Sequence, residues 1–240
     1  MSVATQAPSQ DEEIPDLTYK VAPADTEERT EGLRLVADSV AQQRQTASKA
    51  VILHPATVSA TILVIAVMAR YMVLSSLVTT SVGVVMAAML AVRYYTAGYI
   101  TMAEKIGHKW LEDYGKNGNG NGNGNGNGNR DPIVLIAKWG DEIIGALVMR
   151  VVKRERKGYV RAWTVKLRYR NKGVGRGLLE EGAKIVWGKG GRGMVFEERH
   201  ANAGRVLPDI LNGQFEKQEV KARDMLAEVV AETRKERSSR

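Results

Sequence analysis

The sequence predicts an α/β protein in which helices flank a mixed sheet and an apolar helical hairpin follows the first helix. Three observations lead to this fold class. Residues 159–187 have the pattern of a strand, a glycine-rich turn and a helix. Residues 50–92 contain Arg70 as their single charged residue, and residues 133–152 form two β-rich runs around a turn. Such a succession of strands and helices is typical of a sheet covered by helices.

The chain begins with a polar segment, followed by a strand and a helix. Residues 1–14 are expected to be a disordered tail, because they hold too little apolar surface to form a core. Residues 15–49 read as a short strand that ends at Pro23 and then a helix. Asp25 or Thr26 can cap this helix, since short polar side chains accept hydrogen bonds from the first helical amides.

The next segment, residues 50–93, is predicted to enter a membrane as a helical hairpin. Its two apolar stretches, Ala50–Ala69 and Tyr71–Val92, are each about 20 residues long, which is the length needed to cross a ~30 Å hydrocarbon core. They are expected to meet in a tight turn near Arg70 and Tyr71. His54 and Pro55 interrupt the first stretch, so a re-entrant hairpin stays open beside two full spans.

Basic residues flank this hairpin on both sides. Arg44 and Lys49 precede it, and Arg93 and Lys105 follow it. Because cytosolic loops of membrane proteins are enriched in Lys and Arg, both ends of the hairpin and the attached domain are predicted to face the cytosol. The lipid bilayer is therefore an expected partner. Small and hydroxylated residues in the second stretch also allow another helix to approach closely, as in a larger membrane-protein complex.

A helix and a linker are predicted after the hairpin. Residues 94–116 read as an amphipathic helix with Met102, Ile106 and Trp110 on one face. Residues 117–130 are dominated by an Asn-Gly repeat. This composition predicts a flexible linker, because the repeat has no apolar side chain to bury.

Residues 131–212 are predicted to contain the remaining strands. The β-rich runs 133–139 and 143–152 surround the sequence Gly140-Asp141-Glu142, which favours a β-hairpin. Met194–Glu197 reads as a further strand, parallel to the strand that precedes the glycine-rich turn, because a helix connects the two.

The C-terminal part of the chain is predicted to be helical. A short helix is expected over residues 203–211, although Pro208 lies within it. Residues 213–240 read as a charged helix. The apolar face of that helix is predicted to consist of Val220, Met225, Leu226 and Val229.

The glycine-rich turn carries the strongest functional signal. Alternating side chains over 159–169 predict a strand, and Gly173, Gly175 and Gly177 then fall within five residues at the start of a helix. Free amides and the helix dipole make such a helix start an anion site. A P-loop is excluded because no Lys-Ser/Thr pair follows Gly175, and the dinucleotide fingerprint is excluded because Leu178 stands where its third glycine belongs.

The segment Val165–Gly175 resembles the acetyl-CoA loop of the GNAT N-acetyltransferases, whose pattern is V-x-P-x-x-R/Q-x-x-G-x-G/A. Arg170 and the glycines match this pattern, and Leu167 replaces its proline. The resemblance implies a GNAT-like mixed sheet over most of residues 15–212. An apolar hairpin inside the N-terminal helical part is similar to the endoplasmic-reticulum N-acetyltransferases that acetylate cysteine conjugates or lysines, which implies an endoplasmic-reticulum membrane. An ordinary basic strand–turn–helix connection is the alternative.

The resemblance also implies which residues bind acetyl-CoA. The turn would hold the pyrophosphate, the end of the preceding strand would pair with the pantetheine arm, and Asn202 resembles the family's Asn that contacts this arm. The implied set is Val165, Leu167, Arg170, Asn171, Lys172, Gly173, Val174, Gly175, Arg176, Gly177 and Asn202.

The catalytic residues are less clearly marked. Members of the family often use a Glu on a central strand as base, and Glu197 or Glu198 would take that place, although both are equally well explained as surface carboxylates. His200 is a further candidate for moving a proton. The tyrosine that commonly serves as acid has no counterpart, since Tyr169 is the last tyrosine, and the last two strands of the family have no counterpart in the sequence either.

The composition limits the kinds of ligand and partner that the protein is expected to bind. Eleven basic residues and one acid, Glu155, lie between Arg150 and Arg176, so this region suits a polyanion such as CoA phosphates or lipid headgroups, although a solvated basic face explains it equally well. The absence of cysteine excludes disulfides and thiol catalysis. No metal site and no cleaved signal peptide are expected. A membrane segment and few exposed aromatic residues argue against nucleic acid.

Two functions are consistent with these features. The first is a membrane-anchored N-acyltransferase that moves an acetyl group from acetyl-CoA to an amine on the cytosolic side. The second is a GNAT-like accessory or scaffold subunit of a membrane complex, with little or no activity. The intact Arg170/Gly173/Gly175 loop favours the enzyme, whereas the polar face of the second apolar stretch favours the accessory role.

Overall fold

The computed structural model describes residues 15–116 and 132–239, so the predicted N-terminal tail and Asn-Gly linker lie outside the described residues. One five-stranded sheet forms the centre of the fold. In chain order the elements are β1 (Leu17–Val21), α1 (Glu27–Ile52), α2 (Pro55–Tyr71), α3 (Leu74–Tyr95), α4 (Gly98–Glu104), α5 (His108–Lys116), β2 (Ile133–Trp139), β3 (Glu142–Val152), β4 (Lys157–Val165), α6 (Val174–Gly188), β5 (Gly193–Phe196) and α7 (Gly213–Ser238).

The strands lie side by side in the order of the chain. β1 pairs antiparallel with β2, with Leu17 opposite Trp139, which confirms that the first strand joins the sheet across the long apolar insertion. β4 and β5 pair in parallel, with Lys157 opposite Gly193, as the connecting helix predicted. Thr26 caps α1 through its hydroxyl oxygen, which accepts from the Arg29 amide at 3.4 Å.

Each face of the sheet buries its own core. α6 and α7 cover one face, where Leu178 and Leu179 are fully buried among the strand side chains. α1 and α5 cover the other face through residues such as Val36 and Leu111. Full burial of one aliphatic side chain contributes about 1.5–3 kcal/mol, so both layers hold the sheet firmly. The mixed α/β fold class predicted from the sequence is confirmed.

A β-bulge in β4 shapes the edge of the sheet. Val148 faces Ala162 and Met149 faces Val160, so Arg161 is an extra residue without a partner on β3. Bulges bend a strand and redirect side chains. The pairing of β4 with β5 ends at Val160 opposite Phe196, and β4 then continues alone on that edge. The strand predicted to continue to Tyr169 ends at Val165, because residues 167–169 form a 3-10 turn.

The apolar segment forms a pair of exposed helices with shifted boundaries. The first predicted stretch is divided: its start belongs to α1, and α2 begins at Pro55 after a bend of 53°. His54 and Pro55 cause this break, because proline fits the first turn of a helix but cannot continue one. The turn between α2 and α3 lies at Met72–Val73, slightly later than predicted. No residue of α2 or α3 is buried.

Among the described residues, one helical run by itself has the length and composition that a membrane span needs. This run, Leu74–Glu104, comprises α3 and α4 and contains an 18-residue window of mean hydropathy 1.9, none of which is buried in the fold. Taken together as a bent pair, Glu27–Ile52 and Pro55–Tyr71 are also long enough and apolar enough to cross a membrane. Within the described residues, the fold thus offers one span, or two if the bent pair counts as one.

Three local predictions were wrong. The single helix predicted over 94–116 is divided: Tyr94 and Tyr95 end α3, and α4 and α5 follow with a break at Lys105–Gly107. The helix expected over 203–211 is reduced to one 3-10 turn, Asp209–Leu211, because Pro208 cannot donate a helical hydrogen bond. Val220 is 57% exposed rather than on the buried face of α7, whose N-terminal anchor is the buried Phe215.

Candidate functional site

A cavity of about 760 Å³ lies beside the part of β4 that extends beyond β5. Its floor includes Trp163 and Val165 of β4. One wall is the glycine-rich turn, a second is the C-terminal half of α1 and a third is the first half of α7. His200, in the loop after β5, also lines the cavity. Five separate parts of the chain therefore converge on one space that is large enough for a cofactor-sized ligand.

The turn between β4 and α6 is held in an open shape. The Arg170 side chain folds back so that its Nε donates to the Val165 carbonyl oxygen at 2.9 Å. Burial lowers the pKa of the Arg170 guanidinium below its usual value, although the group remains charged at neutral pH. Gly173 has φ +84°, and a Cβ at this position would meet no atom within 4 Å. A larger residue here would be strained and would project into space that a ligand can occupy.

The first amides of α6 face this turn without helical partners. The first hydrogen bond at this end of α6 runs from the Gly177 amide to the Gly173 carbonyl oxygen at 3.0 Å. The amides of Val174, Gly175 and Arg176 precede it and lack an i−4 acceptor within the helix. With the positive end of the helix dipole, they form a site for a negatively charged group.

The other two glycines of the turn have a packing role. A Cβ on Gly175 would lie 2.8 Å from the Trp163 ring, whose Nε1 donates to the Gly175 carbonyl oxygen at 3.0 Å. A Cβ on Gly177 would collide with the Tyr19 ring of β1. Gly177 therefore lets α6 approach the sheet, and it does not line the cavity.

The cavity has an excess of positive charge. Lys49, Arg170, Arg176, Arg205 and Lys221 line it, against one acid, Glu219. Arg176 is neutralised by Glu180 of α6 and by Glu228 and Glu232 of α7, and Arg205 pairs with Glu219 at 2.9 Å.

Three buried amide oxygens without hydrogen-bond partners belong to residues that line this cavity. They are Gln42 Oε1, Gln43 Oε1 and Asn202 Oδ1. Gln43 also donates from its Nε2 to the Asn202 carbonyl oxygen at 3.3 Å, which joins α1 to the loop after β5. A buried polar atom without a partner costs about 1–3 kcal/mol, so amide or hydroxyl donors of a ligand would gain by meeting these groups.

His200 is the residue of the cavity lining whose side chain ordinarily titrates near neutral pH. Its ring centroid lies 5.7 Å from that of Phe196, and its Nε2 lies 3.8 Å from Glu219 Oε1. Burial lowers the pKa of His200, and the charges of Arg205 and Arg223 lower it further, while Glu219 opposes the shift. The imidazole is therefore neutral at pH 7 and can accept a proton.

Glu197 lies outside the cavity, in a cluster with two arginines. Its two oxygens accept from Arg150 and Arg161 at 2.8 Å each. Both guanidinium groups also stack against the Tyr114 ring, at 4.8 and 5.2 Å from its centroid. The Tyr114 hydroxyl donates to the Tyr159 carbonyl oxygen at 2.8 Å, and burial together with the Glu197 charge raises the pKa of Tyr114.

The residues predicted for the site thus fall into two groups, those that line the cavity and those that lie elsewhere. Those that line the cavity are Val165, Leu167, Arg170, Asn171, Gly173, Gly175, Arg176, His200 and Asn202. The others lie elsewhere: Val174 is in the core, Gly177 packs on Tyr19, Lys172 lies over the Tyr169 ring, Glu197 is in the arginine cluster and Glu198 is exposed. Among the described residues, no group of three or more His, Cys, Asp or Glu could hold a metal ion.

Sequence reasoning missed the contribution of α1. Gln42, Gln43 and Thr46 lie on one face of this helix and line the cavity. Their spacing of one, three and four residues is helical, but the sequence does not reveal which element that face meets. A run of uncharged polar residues within a helix that otherwise buries apolar ones was the available signal.

Comparison with known proteins gives one family match. Residues 101–206 match the model of the Acetyltransferase (GNAT) family. The matched segment begins in α4, so β1 and α1, which complete the sheet and the cavity, precede it across the hairpin. No curated protein sequence matches this chain.

Two solved structures show a limited likeness. Both are crystal structures of an aminoglycoside acetyltransferase from an uncultured soil metagenomic sample, one in complex with sisomicin and one with trehalose. They are 15% and 20% identical to this chain, cover 39% and 38% of it, and give TM-scores of 0.29 and 0.28. The likeness spans 58% of the acetyltransferase chain in each case. Residues 101–206, which are less than half of the chain, are therefore similar to the GNAT acetyltransferase family.

Proposed function

We propose that this protein is an acetyl-CoA-dependent N-acyltransferase anchored in a membrane by the α2–α3 hairpin. One observation supports the acetyl-CoA part most strongly: within the matched family segment, the open turn at Gly173 and the free amides of α6 face a basic cavity of cofactor size. Acetyl-CoA, when bound, supplies the acetyl thioester that an amine attacks.

The chain offers complementary groups for each part of acetyl-CoA. The amides of Val174–Arg176 suit the pyrophosphate, because phosphate oxygens accept hydrogen bonds and are favoured at the positive end of a helix. Arg170, Lys49 and Lys221 add positive charge along the cavity wall. Gln43 and Asn202 suit the amides of the pantetheine arm.

His200 is the proposed general base. Its neutral imidazole is suited to take a proton from the acceptor ammonium or from the attacking amine, and its burial at 12% exposure shields that proton from bulk water. Glu197, predicted as a base from the sequence, is a poorer candidate because both of its oxygens are engaged by arginines. Glu198 is exposed and lies outside the cavity lining.

The membrane part of the proposal rests on the exposed apolar helices. α3 has 22 residues, about 33 Å at 1.5 Å per residue, whereas the 17 residues of α2 reach about 25 Å. A ~30 Å hydrocarbon core therefore accommodates α3 as a span and α2 as a shorter, bent return. The basic flanks favour a cytosolic position for the acetyltransferase domain, and the endoplasmic reticulum is the proposed membrane.

Thiol release tests the proposed activity. The purified full chain in detergent is incubated with acetyl-CoA and a panel of primary amines, and free CoA is measured with a thiol reagent. The chain contains no cysteine, so the protein itself contributes no signal. Amine-dependent CoA release that falls in His200→Gln supports the enzyme, and absence of release with every amine tested contradicts it for that class of acceptor.

An accessory role is the second candidate, and two observations favour it. The carboxylates around Arg176 neutralise one positive charge of the turn, and α7 stands where the family has its last two strands. This candidate predicts CoA binding without thiol release.

Protease accessibility tests the topology. In sealed microsomes, with the cytosolic surface outside, cleavage within residues 117–130 is expected without detergent. A protected linker would contradict both the hairpin and the cytosolic orientation.

A further inference from the structure

The loop after β5 joins the cavity to the base of the α2–α3 hairpin. Val206 packs on α4, where a Cβ on Gly98 would lie 3.1 Å from Val206 Cγ2, and the Val206 amide donates to the Tyr99 hydroxyl oxygen at 3.4 Å. Tyr99 stacks on Phe215 with ring centroids 6.1 Å apart. Phe215 and Arg205, at either end of this loop, both line the cavity.

The same loop also contacts the C-terminal part of α1, close to the start of the hairpin. Leu207 is buried in a cluster with Ala47 and Tyr99, and Val51 and Leu211 pack against that cluster. Val51 is four residues before Pro55, where α2 begins. The other end of the hairpin also contacts α1, because the hydroxyl oxygens of Ser48 in α1 and Thr96 after α3 lie 3.3 Å apart.

Aliphatic and basic side chains are exposed near the base of the hairpin. Ile210 is 78% exposed and Leu53 is 72% exposed. Lys49 and Arg93 are exposed at the two feet of the hairpin. Asp209 is also exposed beside Ile210, and a carboxylate is costly in hydrocarbon, so the surface suits the headgroup layer rather than the bilayer interior.

We propose that the 3-10 turn Asp209–Leu211 is a second membrane contact, in which Ile210 inserts into the headgroup layer of an anionic bilayer. This inference rests on the membrane insertion proposed above for the α2–α3 hairpin. The contact seats the loop 205–212 between the bilayer and the cavity, so the mouth of the cavity lies next to the membrane surface. The bilayer is the occupant because Leu207 and Leu211 belong to the cluster of Val51 and Tyr99 at the hairpin base, which places the exposed Ile210 beside the segment proposed to enter the membrane. The exposed Lys49 and Arg93 at the same base favour anionic lipid.

Single cysteines test this contact directly in the full chain, which has no cysteine of its own. Ile210→Cys, Met86→Cys in α3 and Ala231→Cys in α7 are labelled with a polarity-sensitive fluorophore. The label sites at 210 and 86 are 78% and 61% exposed, and Ala231 is also exposed, so labelling leaves the cores intact. The proteins are reconstituted in nanodiscs of phosphatidylcholine and phosphatidylserine, with nitroxide quenchers at the headgroup or deep in the acyl chain.

The proposal predicts three different responses. The label at 86 is quenched by the deep nitroxide, the label at 210 by the headgroup nitroxide with a blue-shifted emission, and the label at 231 by neither. Emission at 210 identical to that at 231, while 86 is quenched, would overturn the contact but leave the hairpin in the membrane. Failure of 86 to respond would overturn the membrane anchor and this contact together, while CoA binding would be unaffected.

Discussion

Glu197 and His200 are three residues apart in sequence but occupy opposite environments. The Glu197 carboxylate is clamped by Arg150 and Arg161, whereas the His200 ring lies in the cavity with its pKa lowered by burial. The bulge at Arg161 contributes to this difference, because it provides a second cation for Glu197. The family resemblance implied Glu197 or Glu198 as the base, with His200 as a further candidate, and these contacts support the proposal that His200 takes the role.

The largest expected effect is on catalysis and comes from a substitution of His200. His200→Gln should lower kcat about 100- to 1,000-fold, the typical contribution of a general base, with little change in folding stability. Because the base must be neutral and its pKa is lowered from about 6.5, wild-type activity should persist below pH 6.5 and fall only at more acidic pH. The pH profile of thiol release measures this, and an acid limb that is unchanged in His200→Gln would assign it to another group.

The second-largest expected effect is on folding stability and comes from a substitution of Glu197. Glu197→Gln leaves Arg150 and Arg161 without a countercharge in surroundings where their side chains are only 14% and 22% exposed. Breaking a buried ion pair costs about 3–5 kcal/mol, and partial exposure reduces the expected loss to about 2–3 kcal/mol. Chemical denaturation in detergent, followed by tryptophan fluorescence, measures it. Glu198→Gln, at an exposed neighbour, should change nothing.

If Glu197→Gln instead kept its stability and lost activity, the roles of the two residues would be reversed. The arginine clamp would then be a resting arrangement that opens when the acceptor binds.

The smallest effect concerns the polar wall opposite the turn. Gln43→Met keeps the length of the side chain but removes the hydrogen bond to the Asn202 carbonyl oxygen and the amide available to a ligand. Loss of about one hydrogen bond should raise KM for acetyl-CoA about tenfold and leave kcat nearly unchanged. Gln214→Met, at an exposed position of α7, is the matched control. A fall in kcat at constant KM would place Gln43 with the acceptor instead.

The parts that sequence predicted well depend on local pattern. The turn from Val165 to Gly175 could be predicted because glycines, a strand period and a helix period occur in one continuous segment. β1 and the hairpin of β2 and β3 could be predicted for the same reason. The break before Pro55 was visible in the sequence, although its consequence, the division of the first apolar stretch between two helices, was not.

The parts that sequence missed depend on register and tertiary contact. The clamp on Glu197 needs the bulge that turns Arg161 toward it, and a bulge shifts alternation by one residue without a sequence marker. Gln42 and Gln43 reach the cavity because α1 packs on strands that are distant in sequence. Pro208 explains why residues 203–211 do not form a helix, but the packing of this loop on Tyr99 and Phe215, which come from distant parts of the chain, could not be predicted.

Calorimetric titration with CoA tests the central claim most directly, namely that the turn before α6 binds this ligand. The wild-type chain should bind, and Gly173→Glu should bind at least a hundredfold more weakly. A charge and a Cβ would stand where the phosphates approach, and two or three charge-assisted hydrogen bonds of about 1.5–3 kcal/mol each would be lost. Lys157→Ala, at an exposed position outside the cavity, should change affinity less than twofold, since it removes only a screened charge. Absence of wild-type binding, or equal binding by Gly173→Glu, would contradict the account.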